Sequence, residues 1–180
     1  MRIISGKYRG RMLNSFEFVS TRPTLDKVKE AIFDKLFMKV RKGVVLDLFG
    51  GTGAMGLEAL SRGASAVYIC DNNPRSIALI KKNSKGFNPQ PEIIEMDFQR
   101  ALDVFKRATT QFDIIFLDPP YDSDYGEKSL KLIKEYGLLK YDGVVVFEHD
   151  GDGFICTDVY YDEEEKVYGR VKVSYLTISH

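Results

Sequence analysis

The sequence predicts an α/β fold, a mostly parallel doubly wound sheet with an antiparallel C-terminal edge and a small N-terminal extension. Three observations predict it. From Gly43 onward, short apolar runs alternate with segments of helical period, and four of those runs carry an aspartate in or just after their carboxyl end: Asp47, Asp71, Asp97 and Asp118. A glycine-rich turn, Gly50-Gly51-Thr52-Gly53, follows the first run. Beyond Asp150 the helical period gives way to strict alternation of apolar and polar residues, the mark of half-buried antiparallel strands.

Taken in order, residues 2–19 are short apolar stretches split by Gly6, Gly10 and Asn14, read as one or two strands of a hairpin or small extension. A helix follows over about 25–40, with an apolar stripe at Leu25, Val28, Ile32 and Leu36 and Thr24 placed as its N-cap. Strands are expected at 44–49, 66–70, 92–96, 112–117 and 143–147. Helices are expected at 54–62, 74–85, from Asp97 to about 107, and 125–136. Pro74 suits a first helical turn, and Gly63 and Gly137 suit helix stops. The last hairpin pairs 154–161 with 167–178 around the acidic Glu163-Glu164-Glu165. The domain division is a basic extension over 1–22 and one domain over 23–180.

The chemistry concentrates in 112–121, FDIIFLDPPY. An apolar strand buried on both faces stops at two prolines, which cannot donate backbone hydrogen bonds and hold φ near one value. The stiff corner lies at a strand's carboxyl end, where open α/β sheets bind ligands. Asp118 offers a carboxylate, Pro119 a carbonyl, Tyr121 an aromatic face, and Pro120 fixes the turn between them. Two acceptors beside a ring suit a planar heterocycle carrying an NH2 group. Its lone pair is delocalised into the ring. Accepting both N–H bonds pushes the nitrogen toward tetrahedral geometry and aims the lone pair at an electrophile.

Gly51-x-Gly53-x-x-Gly56 matches a dinucleotide-binding pattern, but Asp47 just before it would repel a pyrophosphate. A carboxylate there suits a cationic amino group. Asp71 stands where an acid accepts ribose hydroxyls, and Asp97 is placed for an adenine amine with Phe98 beside the ring. Amino acid, ribose and adenine together describe S-adenosylmethionine, whose methyl group is the electrophile the corner requires. Phe49, Thr52 and Asn72 complete the expected cofactor set. A helix N-cap is the plain alternative for each acid.

The chain's 180 residues, 44% hydrophobic and 29% charged, suit one globular domain. Two cysteines without metal spacing argue against a disulfide framework and for a reducing, cytoplasmic setting, and no metal site is expected. No apolar run reaches membrane-spanning length, and the N-terminus lacks the apolar core of a signal peptide. Charge is balanced overall but uneven. Residues 1–42 hold eleven basic against four acidic side chains, net +7, and 141–180 hold three against nine, net −6. A basic end points to a polyanion. Lys7, Arg9 and Arg11 would share one face of an extended arm, either as phosphate contacts or as a solvated edge. Lys35, Lys39 and Lys42 are read as a solvated helix face.

The opening MRIISGKYRGRML, then RPTLDKVKEAIFDKL, VLDLFGGTGAMGLEALSRGA, FDIIFLDPPY and the late Tyr168-Gly169 closely resemble the RsmD-type 16S ribosomal RNA guanine-N2 methyltransferases. The resemblance implies a class I S-adenosylmethionine-dependent methyltransferase (Rossmann-like) fold. It implies a guanine N2 amine as acceptor, with 16S ribosomal RNA or a small-subunit assembly intermediate as partner. It also implies that Arg22, in Arg22-Pro23-Thr24, borders the active site and touches RNA. Gly50 stands where relatives often carry Ala, expected only to loosen the turn. Adenine N6 or a protein glutamine as acceptor, an NAD-dependent oxidoreductase, and an RNA-binding module without catalysis are the rival readings.

Overall fold

The computed structural model describes residues 1–16, 23–121, 123–149 and 162–178. Its elements run α1 (Pro23–Lys35), α2 (Phe37–Val40), β1 (Val44–Asp47), α3 (Ala54–Ser61), β2 (Ala66–Asp71), α4 (Pro74–Ser84), β3 (Glu92–Glu95), α5 (Phe98–Arg107), β4 (Phe112–Leu117), α6 (Tyr125–Glu135), β5 (Leu139–His149), β6 (Asp162–Tyr168) and β7 (Val171–Thr177). The strands form one sheet in the order β3-β2-β1-β4-β5-β7-β6. The first five are parallel, and β7 pairs antiparallel with both β5 and β6.

Period-two alternation divides the core between the two faces of the sheet. Val45, Ile114, Phe116 and Val146 face one side with Ile32 and Phe33 of α1, Leu57 of α3 and Ile80 of α4. Leu46, Ile115, Leu117 and Val145 face the other, with Leu102 and Phe105 of α5 and Leu130 and Ile133 of α6. Apolar residues on both faces of β1, β4 and β5 are what a central strand covered by helices requires. The strand order reverses between β1 and β4, so a crevice opens outside their carboxyl ends.

Three expectations need correction. The first helix begins at Pro23, which puts Thr24 inside the first turn rather than at the cap, and it is interrupted at Leu36 before the short α2. The C-terminal turn is at Gly169-Arg170, where Gly169 takes φ +65°, and not at the glutamates. A left-handed turn position favours glycine, while exposed charges suit an outer strand, because they discourage pairing with another chain. Glu163, Glu164 and Glu165 therefore lie within β6, at the sheet edge. The expected strand at 154–161 and Cys156 lie outside the described residues. Lys35 is not merely solvated: its Nζ is 2.5 Å from Glu164, so part of the uneven charge is matched inside the molecule.

The N-terminal segment folds back on itself like a short hairpin: an antiparallel bridge joins Arg2 to Met12, and Ile3 N donates to Arg11 O, Gly10 N to Ile3 O and Leu13 N to Met1 O. The segment is stitched onto α3. Glu58, fully buried, accepts from the backbone N–H groups of Ile4 (2.8 Å) and Ser5 (3.0 Å) and from Arg62 Nε (2.8 Å). The Ser61 hydroxyl donates to Ser5 O and accepts from Tyr8 N. The buried Lys29 and Arg62 side chains pair with Glu58, at 3.4 and 2.8 Å, and with the two backbone donors they are why a charge is tolerated at this depth.

Candidate active site

The glycine turn is held by the acids on either side of it. Asp47 Oδ2 accepts from Gly56 N at 3.1 Å, and Asp71 Oδ2 accepts from Gly51 N at 2.9 Å. Gly51 sits at φ +55°, and a side chain there would meet nothing within 4 Å. That open side faces the crevice, so a ligand can lie directly against the backbone. Gly50 is different. A Cβ there would fall 2.4 Å from Ile69 Cγ2, so an alanine would demand a shift in β2, contrary to a mere loosening.

Asp71 Oδ1 also accepts from Asn73 N at 2.8 Å, and Asn73 in turn caps α4 by accepting from Arg75 N. Asp97 is the N-cap of α5, accepting from Arg100 N at 3.1 Å. The plain reading of Asp97 is therefore realised. Each oxygen still has lone-pair capacity toward a ligand. Phe98 packs 5.5 Å from Phe49 and 5.0 Å from Tyr125, ring centre to ring centre.

Two cavities open along the strand ends. One, of about 340 Å³, is lined by Asp71, Asn72, Phe98, Tyr121 and Tyr125 among others. The other, of about 270 Å³, is lined by Met1, Lys29, Asp47, Phe116 and Glu148 among others. Phe49, Gly51 and Asp118 line both. The aspartate of the proline corner thus stands where the two spaces meet. Pro119 is buried, while Pro120 and Tyr121 are exposed.

The electrostatics of this junction are unusual. Burial pushes Asp47 up to about 7, against the opposing effect of its bond from Gly56. Asp118 is open to the crevice, yet the surrounding walls desolvate it enough to push it up to about 6. Glu148 rises to about 7 through burial and the charge of Asp118. Acceptor-only groups desolvated together favour a cationic or N–H-rich ligand. Among the described residues, no group of His, Cys, Asp and Glu is placed to hold a metal ion.

The family described as conserved hypothetical protein 95 matches residues 1–177. YlbH of Bacillus subtilis (strain 168), named as a candidate rRNA methyltransferase, is 42% identical over 152 residues, 83% of each chain. The ribosomal RNA small subunit methyltransferase D of Haemophilus influenzae is 35% identical over 159 residues, 87% of this chain and 82% of that one. The chain belongs to the RsmD family of methyltransferases. The solved structure of yhhF from Escherichia coli, named as a candidate methyltransferase, superposes with a TM-score of 0.85 at 28% identity, over 100% of this chain and 99% of that one. The strand order is that of the class I methyltransferase fold.

In this RsmD-family chain the basic arm departs from the expected row. Residues 5–10 form bends and turns, so Lys7, Arg9 and Arg11 do not alternate along a strand. Arg11 is drawn inward. Its guanidinium lies 4.6 Å from the Phe87 ring centre and donates to Asn83 O and Lys85 O, where it satisfies carbonyls at the end of α4. Lys7 Nζ donates to Asn88 O at 3.3 Å, and Arg9 is exposed. Arg22 lies outside the described residues. Several residues of the crevice escaped sequence reasoning, Glu148, Tyr125, Met1 and Lys29 among them. Glu148 carried the signal used for the aspartates, an acid closing an apolar run, but the longer side chain and the shift to the next strand hid it.

Proposed function

We propose that this protein transfers the methyl group of S-adenosylmethionine to the exocyclic N2 amine of a guanine in 16S ribosomal RNA. Membership of the RsmD family supports S-adenosylmethionine-dependent methylation of ribosomal RNA. The observation that carries the finer reading is the position of Asp118 where two cavities meet, with Asp47, Asp71 and Phe98 on the side of β1, β2 and β3 and Glu148 on the side of β5.

The donor fits the groups present. Asp47 and the open backbone at Gly51, Thr52 and Gly53 take its amino acid end, Asp71 and Asn72 its ribose, and Asp97, Phe98 and Phe49 its adenine. When bound, it supplies a methyl group made electrophilic by its sulfonium. Asp118 and the Pro119 carbonyl accept the two N–H bonds of the acceptor amine and turn its lone pair out of the ring plane. Tyr121 stacks on the base, which must leave its helix to reach the corner. As the new N–C bond forms and the S–C bond breaks, the nitrogen releases a proton. Asp118, raised to about 6, is basic enough to receive it. Lys7 and Arg9 contact phosphates of the RNA, and Arg22 is a further RNA contact. The substrate is the RNA itself or a small-subunit assembly intermediate, which puts the protein in the cytoplasm.

Nucleoside mass spectrometry of 16S RNA from cells lacking the protein, followed by treatment of that RNA with purified enzyme and labelled donor, tests the assignment. The expected product is one N2-methylguanosine, absent before treatment and restored after it. Appearance of N6-methyladenosine alone would transfer the reading to adenine.

A further inference from the structure

We propose that Glu148 reads the acceptor base, accepting the N1–H of guanine while Asp118 and the Pro119 carbonyl hold its 2-amino group. This rests on the guanine reading and deepens it.

The register places the two acids side by side. Leu117 of β4 pairs with Phe147 of β5, so Asp118 and Glu148 each stand one residue beyond a matched pair, on adjacent parallel strands. Neighbouring strands lie roughly 4.8 Å apart. Phe116 and Val146, the preceding matched pair, face the α1 side of the sheet, and alternation returns residues 118 and 148 to that side. Both acids accordingly line the same 270 Å³ cavity. The strand order then decides which ligand Glu148 meets. Asp71 and Asp97, on the donor side, close β2 and β3, on one flank of Asp118, whereas β5 lies on the other. Glu148 is therefore on the acceptor's side of the reacting amine.

The chemistry agrees. Among the described residues, the Glu148 carboxylate has no hydrogen-bond or ion-pair partner. Guanine's pairing edge presents N1–H beside the 2-amino group, adjacent donors for two adjacent carboxylates. Adenine presents a bare N1 acceptor there, which an ionised Glu148 repels.

The test uses ribosomal RNA assembled with either guanine or 2-aminopurine at the position mapped by the wild-type reaction. 2-Aminopurine keeps the 2-amino group but has an N1 acceptor. Wild-type enzyme is expected to prefer guanine by about 100-fold in kcat/KM or more, since a polar site rejects an analogue lacking its hydrogen bond. Glu148→Gln, whose amide can accept from guanine or donate to 2-aminopurine, is expected to narrow that preference at least tenfold. Binding of S-adenosylhomocysteine should stay within about threefold of wild type, which separates base reading from a structural defect. Equal use of both bases by the wild-type enzyme, or an unchanged preference in Glu148→Gln, would overturn the inference while leaving the guanine product standing. Absence of any N2-methylguanosine with the wild-type enzyme would overturn the functional reading itself, and this inference with it.

Discussion

The acids at the ends of β1, β2 and β3 and those at the ends of β4 and β5 occupy equivalent places in one sheet, but they are used differently. Asp47, Asp71 and Asp97 each accept backbone N–H bonds, from Gly56, from Gly51 and Asn73, and from Arg100. Among the described residues, Asp118 and Glu148 make no such bonds. Their pKa values rise to about 6 and 7 because burial is not offset by donors. Asp47 and Asp71 brace the glycine turn proposed to hold the donor, and Asp97 caps α5. The second pair is kept open at an electrostatic cost, as a group must be if it is to act on a substrate.

The sharpest break in this comparison is Asp118→Ala. Transfer should fall by about 1,000-fold or more, the effect of removing a preorganised electrostatic contact. Donor affinity, measured calorimetrically with S-adenosylhomocysteine, should stay within a few fold. Near-normal turnover would refute the assignment of Asp118 to the amine.

Asp71→Ala should behave in the opposite way. Its carboxylate holds Gly51 and Asn73, so donor affinity should weaken by about 10- to 100-fold, in line with loss of charge-assisted hydrogen bonds. The melting temperature should drop as well. Unchanged affinity and melting would mean that the turn stands without it.

Titration should separate activity from stability. In its proposed role Asp118 accepts N–H bonds when ionised, so kcat/KM should rise with pH through an apparent pKa between about 6 and 7 shared by the neighbouring acids. Stability should run the other way. Asp47 binds a proton in the folded chain at pH values where the unfolded chain has lost it. Its contribution to folding is therefore full below about 4 and is lost as pH rises to about 7. Melting curves of Asp47→Asn should show a flatter decline across that window, and an identical decline would exclude Asp47 as its source.

The smallest effects are expected on the arm. Neutralising Lys7 and Arg9 together should lower the salt dependence of RNA binding by about one to two in log–log slope. Arg11→Ala should instead lower the melting temperature, because its guanidinium caps the end of α4. A slope change from Arg11 equal to that from Lys7 and Arg9 would undo the distinction.

Much of this was legible in the sequence, for a physical reason. Central strands buried on both faces must be apolar throughout, and β4 spans the expected 112–117. The proline corner and the glycine turn were legible because each needs residues with uncommon backbone properties. What stayed hidden depends on distant partners. Arg11 reads as one cation among three until α4 supplies carbonyls for it. The acidic run reads as a turn until β7 supplies a strand for it to flank. Glu148 gains its meaning only from the register that sets it beside Asp118.

Met1 forms part of the wall of the smaller cavity, its sulfur 3.3 Å from the Thr52 hydroxyl, with its carbonyl tied to Leu13 N. The arm thus helps wall the space where donor and base are proposed to meet, so releasing it from α3 should weaken ligand binding as well as stability.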